Sequence, residues 1–489
     1  MVELARRVLK NSFFSSSSAL IRGIGGFLFS VVIARILTPE QFGIYALAIS
    51  VCFFIMQMDF GIGYSAIRYL AASERDEHLA RGYFKFFFKL RIALGLIYAI
   101  LLIVLADFLA FHVFKKPEMS LPLKILAFFF LFFFLSDFID CCFQAFQNFK
   151  YPAIRHAINE SLKFALVIPL ALIFFNGIFV GLALASTLTF ILMFSFFRRR
   201  YSYLFNGAAK KIETKRVLRF MGFVSIGAIS GVVFSYVDMI MLGIFLPAEY
   251  AGYYKAATNI VFGIAGLTGI AGVLFPVFTQ LEGESLEDAF KKVFRYASIL
   301  SFPFAVSLAY FSPQIVSVIY GINYLPASLP LLILSPLIVF NATNFFGVLF
   351  GAKEKPEYST AISIASMVMN VLLNYILILK FGMIGAAIAT TTSRFFNIIA
   401  AGIIAKKIFG VSPHASSIYK PGFASIAMFL LLKALPNPET LLFGFSELCF
   451  AIAFYFAVLF LIKGIEFEDL RYAKAIFGIE SFTFLNRGK

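Results

Sequence analysis

Leu37-Thr38-Pro39-Glu40-Gln41-Phe42-Gly43-Ile44-Tyr45 is a short polar turn set between two long apolar runs, and the chain contains it twice. The second copy, Leu246-Pro247-Ala248-Glu249-Tyr250-Ala251-Gly252-Tyr253-Tyr254, repeats leucine, glutamate, glycine and tyrosine at Leu37/Leu246, Glu40/Glu249, Gly43/Gly252 and Tyr45/Tyr254, each pair 209 positions apart. Gly181-Leu182-Ala183-Leu184-Ala185-Ser186-Thr187 returns in the same way as Gly385-Ala386-Ala387-Ile388-Ala389-Thr390-Thr391, at a spacing of 204. Two echoes at nearly one spacing read as two halves of about 200 residues built on one unit.

Of the 489 residues 61% are hydrophobic and only 14% charged, where soluble proteins carry about 25% charge. The chain therefore reads as an all-α polytopic membrane protein. Crossing roughly 30 Å of hydrocarbon takes about 20 apolar residues, and fourteen runs qualify, from 12–37 to 441–463 and including 42–72, 83–112, 250–279 and 328–351. The first run lacks a small-residue cleavage site and leads straight into Arg35 and the turn, so it is expected to stay as a helix. The expected organisation is an N-lobe at 1–197, a basic linker at 198–216, a C-lobe at 217–409, two further helices within 410–463 and a tail at 464–489. In that tail Ile465, Leu470, Ala473, Ile476 and Phe477 recur at the spacing of an interfacial helix.

With the N-terminus placed in the cytoplasm, thirty basic residues fall on the inner side against five on the outer, the asymmetry that orients membrane proteins. Both termini are expected inside. The net charge of +16 is dispersed over the ends of apolar helices and does not form the basic face of a nucleic-acid binder. Cys52, Cys141, Cys142 and Cys449 all lie within apolar runs, a pattern with no disulfide framework or metal cluster in it.

The informative residues are the charges inside the runs: Arg22, Arg35, Arg68, Arg155, Lys163, Lys255 and Arg394 with Asp59, Asp137, Asp140, Glu160 and Asp238. A charge facing lipid at the bilayer centre costs at least about 2.5–3.5 kcal/mol, so the deep ones must face protein or a wet cavity. Depth on either side of the turns pairs Asp137 with Lys163, Asp140 with Arg155, and Asp238 with Lys255. Arg35 and Arg68, near helix ends, can extend to the interface. Arg22 and Arg394 sit near mid-span, one in each half, with no acid within a helical turn. A guanidinium binds two phosphate oxygens at once and stays charged, so Arg22 and Arg394 are the first candidates for contact with an anionic substrate, and Lys163 and Lys255 the next. Asp59, Asp137, Asp140 and Asp238 are candidates for ion pairs or for coupling to a proton or sodium gradient. No Walker-type loop occurs, and the outer loops are too short and too poor in carboxylates and histidines for acid-base or metal chemistry. No cofactor and no catalytic residue are expected.

Asn11-Ser12 ahead of a Ser- and Gly-rich first helix, Ala34-Arg35-Ile36 leading into the Leu37–Tyr45 turn, Asp59-Phe60-Gly61, and Val237-Asp238 with Leu242-Gly243 resemble the polysaccharide-transporter branch of the multidrug/oligosaccharidyl-lipid/polysaccharide exporter superfamily, to which O-antigen-type flippases belong. The resemblance covers essentially the whole chain. It implies two six-helix lobes in a V around a central cavity, plus two additional helices that can flank a lipid tail. The implied cargo is an isoprenoid-pyrophosphate-linked oligosaccharide, carried from the cytoplasmic to the outer leaflet by a monomer working among membrane lipids and glycan-assembly enzymes. Multidrug or other lipid export within the superfamily is the alternative, disfavoured because the drug-exporting branch has a coupling acid in its first helix and the run 12–37 has none. A membrane-embedded glycosyltransferase or polymerase is the third reading.

Overall fold

The computed structural model describes residues 2–57, 59–267, 271–436 and 440–465. Helices make up almost all of it, and no strand occurs among the described residues. In chain order they are α1 Val2–Ile36, α2 Pro39–Met56, α3 Ile62–Ala72, α4 Glu77–Phe108, α5 Ser120–Ala145, α6 Lys150–Ile173, α7 Gly177–Arg200, α8 Thr214–Phe245, α9 Ala248–Leu267 and α10 Ala271–Gln280. After these come α11 Gly283–Tyr310, α12 Ser312–Ile319, α13 Ser328–Leu334, α14 Leu337–Thr343, α15 Phe346–Ala352, α16 Pro356–Phe381, α17 Met383–Phe409, α18 Ser416–Ala434 and α19 Leu441–Leu461. Among the described residues, the apolar runs coincide with helices or chains of short ones. Ten helices among the described residues are long and apolar enough to cross a membrane, or eleven if the bent pair Ile322–Leu334 and Leu337–Ala352 is one span. The protein is an integral, multi-pass membrane protein. The tail proposed as an interfacial helix lies outside the described residues.

Two expected continuous helices are broken. The run 42–72 divides into α2 and α3 because Asp59 takes over backbone donors that a helix would need: its Oδ1 accepts from Gly61 N at 2.8 Å and its Oδ2 from Gly63 N at 3.1 Å. Phe60 and Gly61 take positive φ, 51° and 70°, and the second of these suits glycine. The run 328–351 divides into α13, α14 and α15, with Pro336 between the first two and a 43° bend.

Packing groups the chain into two compact units, one of residues 1–266, 313–334 and 360–393 and the other of residues 267–312, 335–359 and 394–489. In the first, α1 lies on α6, α6 on α7, α5 on α4 and α7, and α2 on α8. A core of Phe84, Phe87, Phe138, Phe143 and Phe197 lies beneath. In the second, α11 packs on α14 and α18, α18 on α19 and α10 on α15.

The two copies of the echoed turn touch each other. A Cβ on Gly43 would lie 1.8 Å from Ala248 O, and one on Gly252 would lie 2.2 Å from Pro39 O. Ala248 is the counterpart of Pro39 at the 209-residue spacing, so each glycine receives the backbone of the other copy in a reciprocal, two-fold manner. A capping box starts α2, with Thr38 Oγ1 accepting from Gln41 N and Gln41 Oε1 from Thr38 N, both at 3.3 Å.

The basic linker is docked rather than free. Lys210 N donates to His78 O at 2.9 Å, Arg81 Nε to Tyr203 O at 2.6 Å, and Lys210 Nζ pairs with Asp76 Oδ2 at 3.0 Å. The Lys210 ammonium bonded to Asp76 holds that carboxyl below the usual carboxylate range.

Candidate functional site

Helices α1, α4, α5 and α6 bring most of the buried charges of the first unit together. Arg155 on α6 donates from Nε to Asp140 Oδ2 on α5 at 2.6 Å, as depth about the intervening turn predicts, and both side chains are almost fully buried. His156 Nε2 lies 3.7 Å from the same oxygen. Asp140 Oδ1 is buried with no hydrogen-bond partner among the described residues.

Asp137 pairs with Arg91 and not with Lys163. Arg91 Nη2 reaches Asp137 Oδ2 at 2.7 Å, Nη1 reaches Asp59 Oδ2 at 3.2 Å, and Nε donates to Phe134 O at 3.0 Å. Arg91 is 1% exposed. By sequence it counts with the basic residues of the inner side, at the end of a run starting at 83, whereas Asp76 caps α4 and the helix begins at Glu77. Arg91 is therefore about 21 Å along α4 at 1.5 Å per residue. Lys163 bonds to Glu160 one turn earlier, 2.7 Å away, and stands 4.8 Å from the centre of the Phe29 ring on α1. Gly25 lets the two helices approach: a Cβ there would sit 2.8 Å from Glu160 Cγ.

Arg22 lies about midway along the apolar part of α1, Lys10–Ile36. Its side chain is exposed, no carboxylate lies within ion-pair distance of it among the described residues, and its charge bears on Asp140 and His156. With Arg91, Arg155 and Lys163 each bonded to a carboxylate, Arg22 is the cation of this cluster left for a ligand. Arg35 and Arg68 have structural partners instead. Arg35 donates from Nε to Ile319 O at 2.8 Å and also bonds Val318 O, at the end of α12. Arg68 stacks 4.3 Å from the centre of Phe220.

A second polar centre surrounds Asp238 on α8, and Lys255 is not part of it. Tyr254 OH donates to Oδ2 at 2.8 Å, Asn374 Nδ2 to Oδ1 at 2.6 Å, and Thr390 Oγ1 also donates to Oδ2. All three partners are neutral. Asn370, one turn before Asn374, lies beside the same carboxylate, and neither its amide atoms nor Asn374 Oδ1 is hydrogen-bonded among the described residues. The result is a buried carboxylate held by three neutral donors, with the amide oxygens of Asn370 and Asn374 spare beside it. Lys255 is half-buried, with no carboxylate in ion-pair range among the described residues. Asn370 and Asn374 escape a search for charges, but two asparagines four apart on one face of an apolar helix are themselves a signal. Arg394 is half-buried on α17, in the second unit.

Known proteins are similar to the chain in sequence and in fold. A "Probable low-salt glycan biosynthesis flippase Agl15" of Haloferax volcanii is 25% identical over 241 residues, 48% of this chain and 50% of that protein, so the match spans half of that relative's length. The succinoglycan biosynthesis transport protein ExoT of Rhizobium meliloti is 26% identical over 335 residues, 66% of this chain and 65% of that protein. The fold is that of the lipid II flippase MurJ in its inward closed conformation, with a TM-score of 0.77 over 92% of this chain and 98% of that one at 15% identity. The first copy of the echoed turn, the charges on α1 to α6 and Asp238 all fall within residues 8–282, the stretch matched by the model of the polysaccharide biosynthesis protein family, and to that family this chain belongs.

Proposed function

We propose that the protein is a flippase and not an enzyme, carrying an isoprenoid-pyrophosphate-linked oligosaccharide from the cytoplasmic to the outer leaflet by alternating access. The observation that carries this reading is Arg22: an exposed mid-span guanidinium beside a cluster whose other cations are already bonded. A pyrophosphate entering such a site loses hydration, and bidentate bonds from arginine replace it. The sugars need few fixed contacts, which fits a carrier acting on the linkage. The names of Agl15 and ExoT and the fold of MurJ support the same reading. Arg394 is assigned to the cargo from the second half, with Lys163 and Lys255 in supporting roles. The Asp238 centre, with Asn370, Asn374 and Thr390, is assigned to the coupling proton or sodium ion. Both termini are assigned to the cytoplasm; labelling of a cysteine at Lys210 from outside intact cells would overturn that orientation.

The test is transport by purified protein in proteoliposomes carrying a labelled lipid-pyrophosphate oligosaccharide. Wild type should move it, Arg22→Ala should abolish movement at equal reconstitution, and Arg22→Lys should restore it in part, keeping charge without the fork. Equal transport by wild type and Arg22→Ala, or none by wild type, sinks the reading.

A further inference from the structure

In the second unit, five cations from three separate stretches line one cavity of about 330 Å³: Lys291, Lys292 and Arg295 on α11, Lys420 on α18 and Lys463 beyond α19. Asp288 is the one carboxylate among the lining residues. Two of the cations are fixed by backbone, Arg295 Nη2 donating to Gly464 O at 3.1 Å and Lys420 Nζ to Lys463 O at 2.7 Å. Lys291 is bonded to Glu287 at 2.7 Å. Lys292 and Lys463 are exposed and have no carboxylate partner among the described residues. Ser416 and Ser417 bring hydroxyls and the N-terminal end of the 19-residue α18 to the same wall, where a helix favours anions.

Basic residues at helix ends follow from topology alone. Their convergence on one cavity, with two of them held by carbonyls, does not. Beside it lies an apolar cavity of about 370 Å³ lined by residues such as Phe294, Phe340, Phe395 and Ile418. Phe294 and Arg295 are sequence neighbours, as are Ser417 and Ile418, so α11 and α18 each serve both cavities.

We propose that this pair of cavities is a binding site for an anionic membrane phospholipid, with the phosphate headgroup among the lysines and an acyl chain in the apolar cavity beside it. The shared ligand chemistry is a phosphate monoanion or dianion, and the apolar neighbour selects the lipid over the free ion. Basic pockets between membrane helices recognise headgroups in this way. The site uses none of the residues assigned to the cargo above.

The test takes the full-length chain from vesicles of equal parts phosphatidylglycerol and phosphatidylcholine and measures retained lipid by native mass spectrometry. Wild type should keep phosphatidylglycerol in excess. Lys292→Gln with Lys463→Gln, both exposed positions, should lose about thirtyfold in that preference, about fivefold per lysine. Lys210→Gln with Lys211→Gln, basic but on the linker, should keep it. An unchanged preference in the first variant, or an equal loss in the linker variant, overturns the site. Displacement of the lipid by millimolar inorganic phosphate would make the ligand a free anion and overturn the lipid assignment.

Discussion

Removing either partner of the Arg155–Asp140 pair should cost as much as removing both, or more. The side chains are 2% and 5% exposed and 2.6 Å apart, so solvent screens them little. Breaking a buried pair by deleting one member costs roughly 3–5 kcal/mol, most of it for the charge left behind. Asp140→Asn strands Arg155 beside the His156 ring and the Phe133 ring 5.7 Å away, and belongs at the upper end, about 4–5 kcal/mol. Arg155→Gln leaves the buried Asp140 carboxylate without its guanidinium and falls in the same range, about 3–5 kcal/mol. The double variant replaces two charges with two amides able to bond each other and should cost about 3 kcal/mol or less. The coupling is then at least about 4 kcal/mol, above the roughly 0.5–3 kcal/mol usual for contacting residues, as expected for a pair taken out of water. Equilibrium unfolding in mixed micelles of increasing dodecyl sulfate fraction measures all four corners. Losses that add within about 0.5 kcal/mol would refute the view that these residues act as a desolvated pair.

Gly43→Ala and Gly252→Ala each place a methyl within 2.2 Å or less of a carbonyl oxygen, so either should hold the echoed turns apart; cross-linking of cysteines placed at Glu40 and Glu249 should fall in both, and undiminished cross-linking would refute the contact. Asp238→Asn should remove the dependence of transport on a proton or sodium gradient while protein levels persist, and Asn374→Ala should weaken it; a gradient dependence unchanged in Asp238→Asn excludes that carboxylate from coupling. Because Lys210 holds the Asp76 pKa low, the pair helps dock the linker above the ordinary aspartate pKa of about 3.9 and is lost as pH falls through the lower, folded value. Hydrogen exchange at the Lys210 amide should show constant protection from pH 5 to 8 and loss below about pH 4, more so without added salt; protection that is flat to pH 2 would refute it.

Depth was readable from sequence; helical phase was not. Asp140 and Arg155 lie at matched distances from the turn at 148–150, and they pair. Asp137 and Lys163 satisfy the same rule and fail it, since Glu160 shares a helix face with Lys163 and Arg91 reaches Asp137 from α4. The Asp238 case is narrower still. Its true partner is Tyr254, the immediate neighbour of the expected Lys255, and one residue on a helix is a rotation of about 100°. The rest of that centre comes from Asn370, Asn374 and Thr390, more than 130 positions away along the chain, and nothing beside Asp238 in the sequence points to them. The all-helical, multi-pass character was legible because crossing hydrocarbon needs length and apolarity alone. The break at Asp59 was hidden because it depends on where one carboxylate turns.

The reciprocal seat of Gly43 and Gly252 ties the histories of two distant stretches of one gene. Each glycine makes room for the backbone of the other copy, so neither position can drift while its counterpart stays still. At the crossing, divergence in one copy is answered by a collision with the other. The echo survives there as a record of contact, and a related chain that has lost one of these glycines should have rebuilt the turn opposite.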